Sequence, residues 1–202
     1  MTDPEEVLEP VVLVTVFGPF PGQPVNPTEL IADALAGEDH VVSHVLDVSY
    51  QRSVARIDEL VAMVDPAAVV SFGVVAGATG IRLEEVARNA TGLQAADVDG
   101  EVGAEGPIDA GPEVVPSRLP LAAIADALTA AGIAIEPSDD AGDYVCNLVF
   151  RHIVTHPALR GRPVGFIHVP DPGPGTAFDA DTIAVAGRIV VDTVAAHARG
   201  DL

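Results

Sequence analysis

The chain holds a single cysteine, Cys146, within SDDAGDYVCNLVF from 138 to 150. Asp139, Asp140 and Asp143 just upstream are helix-capping types, which predicts Cys146 in the first turn of a helix. Amide groups at a helix N-terminus favour negative charge, so a thiol there is drawn toward the nucleophilic thiolate. The alternative is a small buried hydrophobe between Val145 and Leu148. A thiol nucleophile needs a base within hydrogen-bond reach. Six histidines are present, and His168 is the best placed. It lies in PVGFIHVP from 163 to 170, near the carboxyl end of an apolar strand-like run, where open α/β sheets gather ligands. An imidazole on such a strand is costly to bury without a partner. A carboxylate could hold its tautomer and stabilise the imidazolium. Glu84 and Glu85 both follow the apolar run from Ala67 to Val75 by one short loop, and spacing does not choose between them.

Two other patterns carry less. His152 and His156 stand four apart on one predicted helix, a metal-ligand spacing, but the acid of the metalloprotease helix motif is missing and no third ligand is evident. GVVAGATG, from 73 to 80, follows a strand without matching either phosphate-binding glycine pattern. Neither a metal nor an organic cofactor is expected.

The 202 residues carry 10 Lys+Arg against 30 Asp+Glu, for a formal charge of −20, and no lysine. Nucleic acid binding, which depends on neutralising phosphates, is therefore excluded as an expectation. The acidity reads as a solvated surface, with adaptation to high salt or biased base composition as its origin. Hydrophobic residues make up 49%, ample for a core. No apolar stretch reaches bilayer-spanning length, the N-terminal MTDPEEVLEP is acidic where a signal peptide needs a basic start, and one cysteine forms no intrachain disulfide. The expectation is a cytoplasmic protein without a membrane partner.

The elements that must position these residues alternate. Strands are predicted at 11–17, 41–48, 67–75, 133–135 and 164–169, and helices at 28–36, 54–64, 119–131, 143–155 and 181–196, with Thr28 as a cap. This predicts one α/β domain, a three-layer α/β/α sandwich on a mostly parallel or mixed sheet. Residues 97–117, rich in glycine, proline and acids, form a long irregular segment that reads as a lid, a subunit contact or a disordered loop.

The stretches VLVTVFGPFPGQPVNPT (12–28), IRLEEVARN (81–89), SRLPLAAI (117–124), AGDYVCN (141–147) and GFIHVP (165–170) occur in the order and spacing of the pyroglutamyl peptidase I family of cysteine peptidases, which the chain resembles over about residues 12–170. The resemblance implies a phosphorylase/hydrolase-like fold. It places the family's catalytic cysteine on Cys146, its histidine on His168 and its glutamate on Glu84 rather than Glu85. It implies removal of N-terminal pyroglutamate from peptides through a thioester, with Phe17, Phe20, Asn26, Val74, Tyr144 and Val145 around the substrate, and assembly as a homo-oligomer, commonly a tetramer. Four positions depart from the family pattern: Val16 and Pro21 replace glycines, and Ala78 and Gln94 replace arginines. These departures motivate an alternative, a homologue that binds pyroglutamyl peptides with weak turnover or none.

Overall fold

β-Branched residues concentrate in the runs expected to be strands, because a sheet buried on both faces takes near-continuous apolar sequence. A computed structural model describes residues 10–92, 95–172 and 178–202, so Gln94 and the acidic start of the chain lie outside the described residues. In chain order the elements are β1 (Val12–Phe17), α1 (Glu29–Ala34), β2 (Val41–Leu46), α2 (Tyr50–Val64), β3 (Ala68–Val75), β4 (Ile81–Glu84), β5 (Val86–Arg88), β6 (Val114–Pro116), α3 (Leu121–Ala130), β7 (Ile135–Ser138), α4 (Val145–Thr155), β8 (Val164–Pro170) and α5 (Ala180–Arg199). A six-stranded sheet runs in the order β2-β1-β3-β8-β4-β7. β2, β1, β3 and β8 are parallel, while β4 lies antiparallel to β8 and carries β7 parallel to itself.

Side-chain alternation divides the core in two. Val12, Val14 and Val16 of β1 pack with Phe72, Leu83, Ile167 and the apolar faces of α1, α3 and α5. Leu13 and Phe17 pack on the other face with Val69, Phe166 and the apolar faces of α2 and α4. The result is the expected three-layer α/β sandwich with a mostly parallel sheet. Among the described residues no helix is long and apolar enough to cross a membrane.

Several local expectations are corrected. α2 starts at Tyr50 instead of Val54, because the Ser49 side chain accepts from the Arg52 amide and Asp97 Oδ2 accepts from the Tyr50 amide at 2.9 Å. Thr28 does not cap α1 with its side chain; its hydroxyl instead accepts from Phe17 N–H. The strand expected at 133–135 is displaced to Ile135–Ser138. Residues 97–117 are cross-braced: Asp97, 3% exposed, accepts from the amides of Asp99 and Glu101, Arg151 grips Asp109, and β6 pairs with β5.

Helix α5 meets α1 at Gly187, where an added Cβ would lie 2.5 Å from Ile31 Cγ2 and 2.7 Å from Cγ1. Gly187→Ala is expected to overpack this contact and cost about 1–3 kcal/mol of stability. A lower denaturation midpoint at fixed salt checks this.

Candidate active site

His168 sits near the end of β8, flanked in register by Gly73 of β3 and Arg82 of β4. It projects to the α2/α4 face with Phe166, whose ring centroid is 4.8 Å from its own. The imidazole is 4% exposed and the Glu84 carboxylate 0%. Their contact, His168 Nδ1 to Glu84 Oε1, is 2.7 Å. Glu84 reaches it because β4 alternates. Leu83 enters the opposite core, while Arg82 and Glu84 point with His168. Glu85 is exposed, and its backbone is bonded to Ser138 and Ser117. The ambiguity between the two glutamates thus has a geometric resolution in a strand that sequence periodicity missed. Glycine at 73 makes room for the ring, since a Cβ there would lie 2.9 Å from both His168 Cδ2 and the Phe166 ring. With Nδ1 directed at the carboxylate, Nε2 is the ring atom left to exchange a proton.

Cys146 is the second residue of α4, as expected, but the acids upstream do not cap the helix. Tyr144 occupies the N-cap without a side-chain bond, and Asp139 and Asp140 lie within 3.7 Å and 3.6 Å of the Arg88 guanidinium. The helix start is instead fixed by the fully buried Asn147, which accepts from Arg88 N–H at 3.0 Å and donates to the carbonyls of Arg88 and Ala90. Its tie to β5 was legible only as a letter in a motif. The electrostatic expectation is also corrected. Burial pushes the Cys146 thiol up to about 12, the charge of Glu84 adds to the rise, and the bond from the cysteine's own amide only partly opposes it. A thiol raised in this way would need a base to act as a nucleophile.

Half-buried Cys146 walls a cavity of about 60 Å³ with Tyr144, Val74, Phe17, Phe20, Asn26 and Val48. A cavity this small suits a compact group. Val48 was not foreseen. Val145, expected beside the substrate, is fully buried in the core, and its side chain does not line the cavity. Asn26 shapes the loop: its amide donates to Gly18 O and its Oδ1 accepts from the Thr28 amide and hydroxyl. Two departures from the family pattern, Val16 and Pro21, do not enter this wall. Val16 points into the opposite core, away from Phe17. Pro21 is exposed in a turn closed by Phe20 and Gln23, with Gly22 at φ 88°, a backbone that favours proline followed by glycine. Ala78 lies half-buried in the loop between β3 and β4.

Asp58 of α2 supplies the third group that His152 and His156 lacked in the sequence, with His152 Nε2 at 2.6 Å and His156 Nε2 at 3.3 Å from its Oδ1. The trio is nevertheless complete as a hydrogen-bonded clamp. His156 Nδ1 accepts from the Ala158 amide, so the neutral ring carries its proton on Nε2, facing Asp58. A metal on Nε2 would move that proton against the Ala158 N–H.

A buried imidazole–carboxylate pair beside a helix that opens with a cysteine, at one end of a mostly parallel sheet, describes a candidate cysteine-hydrolase site. Residues 11–197 match the family model described as pyroglutamyl peptidase, and the chain belongs to that family. It is 36% identical over 171 residues to a pyrrolidone-carboxylate peptidase of Mycobacterium tuberculosis, covering 79% of this chain and 76% of that one. It is 35% identical over 202 residues to pyrrolidone-carboxylate peptidase 1 of Ralstonia nicotianae, covering 91% and 92%. Its fold is similar to the crystal structure of pyroglutamyl peptidase I from Bacillus amyloliquefaciens, with a TM-score of 0.86, 28% identity and coverage of 95% and 97%. It is also similar to a mutant pyrrolidone carboxyl peptidase from Pyrococcus furiosus, with a TM-score of 0.83, 28% identity and coverage of 91% and 97%.

Because the thiol is held protonated up to about 12, its reactivity near neutral pH should depend on His168. Alkylation by iodoacetamide at about pH 7.5 is expected to slow about tenfold or more in His168→Ala, with the rate still climbing beyond about pH 9, where an ordinary thiol levels off. Gly73→Ala, by displacing the ring, should slow it in the same direction. Rates measured across pH by intact mass check both.

Proposed function

We propose that this chain removes an N-terminal pyroglutamyl residue from peptides, with Cys146 as nucleophile, His168 as general base and acid, and Glu84 as the group that orients and charges the imidazole. The observation that carries this reading is the 2.7 Å bond between His168 Nδ1 and a fully buried Glu84, on the sheet face covered by the helix that bears Cys146. His168 Nε2 takes the thiol proton as Sγ attacks the pyroglutamyl carbonyl carbon. The tetrahedral intermediate collapses as the carbon–nitrogen bond breaks, and the same proton passes to the departing amine. Water then attacks the thioester with its proton going to Nε2. The carbon–sulfur bond breaks, free pyroglutamate leaves, and the proton returns to sulfur.

The start of α4 has no side-chain cap, which supports its amides, that of Cys146 among them, as donors to the oxyanion. A neutral, flat lactam suits a small, largely apolar wall, and the acidity of the chain does not oppose it. Silent binding is not favoured, since the chain belongs to a family whose relatives are named as peptidases, and Val16 points away from the wall while Pro21 fits its turn. Assembly as a homo-oligomer rests on the family resemblance, and a cytoplasmic setting on the sequence.

Hydrolysis of a pyroglutamyl chromogenic amide tests the proposal, with salt varied because a chain of this charge gains from screening. Turnover should disappear in Cys146→Ser and after thiol alkylation. Turnover that survives both changes contradicts the assignment.

A further inference from the structure

At the level of His168 a row of residues crosses the sheet in register: Glu136 on β7, Arg82 on β4, His168 on β8 and Gly73 on β3. In-register neighbours project to the same face. A carboxylate, a guanidinium and an imidazole thus stand side by side, with Glu84 two residues along β4 from Arg82 on that same face. Arg82 Nη2 donates to Glu136 Oε1 at 2.7 Å. Glu136 is held in turn by the Thr79 amide at 3.3 Å and hydroxyl at 3.4 Å, and these bonds with Arg82 keep its carboxyl below the usual range.

Two atoms of this row are left over. Arg82 Nε is a buried donor and Glu84 Oε2 a buried acceptor, and neither has a hydrogen-bond partner among the described residues. A carboxylate with no exposure and one unbonded oxygen is costly unless positive charge stands close. His168 supplies such charge only when protonated, the state in which it cannot act as a base. A guanidinium supplies it throughout the working pH range.

We propose that Arg82 is a positioning residue: anchored by Glu136, its guanidinium keeps Glu84 a carboxylate turned toward His168 Nδ1 and keeps His168 the neutral base. This rests on the roles proposed above for Glu84 and His168. The other groups around the pair are accounted for. β3 presents Ser71 and Gly73, neither titratable in this range. α4 presents Cys146, two residues after the Tyr144 cap, and its Arg151 is engaged by Asp109. On β5, Arg88 is turned to Asp139 and Asp140, and Glu85 is exposed.

The test uses opposite charges in one row. Removing a nearby cation raises the proton affinity of its neighbours, and removing an anion lowers it. In pH profiles of kcat/KM for a pyroglutamyl amide, Arg82→Met should move the acidic limb up by about 0.5–1 pH unit and lower activity at about pH 6 several-fold. Arg82→Lys should restore most of the wild-type profile, and Glu136→Gln should move the limb downward. Histidine NMR titrations in a Cys146→Ser background, assigned with His168→Gln, should show the same signs for the His168 ring and need no turnover. Profiles and titrations unmoved by both variants, or moved the same way by both, overturn the role of Arg82. If turnover is absent in the wild type while the NMR signs hold, the peptidase reading fails and the Arg82 role in the pair stands.

Discussion

The structure is organised around one buried bond, that between Glu84 and His168. A carboxylate with no solvent exposure and an imidazole with almost none are tolerable only in each other's company. Meeting that condition constrains the sheet. β4 must pair with β8 in the register that sets Arg82 opposite His168, so that Glu84, not Glu85, lies on the histidine's face, and position 73 on β3 must lack a side chain so that the ring can lie over it. The bond leaves Nδ1 committed and Nε2 available, which is the orientation a base needs.

In the proposed mechanism the nucleophile depends on that pair more than on its own helix. α4 delivers Cys146 to a small cavity, and Asn147 fixes the helix start by three bonds to the backbone that follows β4. Helix-terminal amides favour a thiolate, yet burial beside a negative carboxylate outweighs them and keeps the proton on sulfur. In the proposed mechanism activation therefore falls to proton transfer at the moment of attack. In a small apolar cavity this has a further consequence: a neutral thiol can accept a neutral lactam without first stripping water from a standing charge.

Most of the architecture was legible because the buried strands announce themselves. Val12–Phe17 and Ala68–Val75 are nearly unbroken apolar runs, and a strand covered on both faces has no other composition. The strands β4, β5 and β6 were not legible. They are three or four residues long, they lie in charged or proline-bounded sequence, and their pairing is set by distant segments. Cys146 and His168 could be chosen from residue type and position, whereas the choice of Glu84 over Glu85 needed either the family resemblance or the register of β4 against β8. Asp139 and Asp140 misled because a capping type is not a cap when an arginine nearby competes for it. The cross-braces within 97–117 were invisible for a related reason: Asp97 and Asp109 find their partners on α2 and α4, far away in sequence.

The most direct measurement of the central claim is the rate of acyl-enzyme formation in a single turnover, quenched in acid and read by mass spectrometry, in the wild type and in Glu84→Gln. The account predicts a pyroglutamyl group on the peptide containing Cys146, formed about 100-fold or more slowly when the carboxylate is neutralised. An acyl group on another residue, or acylation of Cys146 at equal rates in the two proteins, would contradict it.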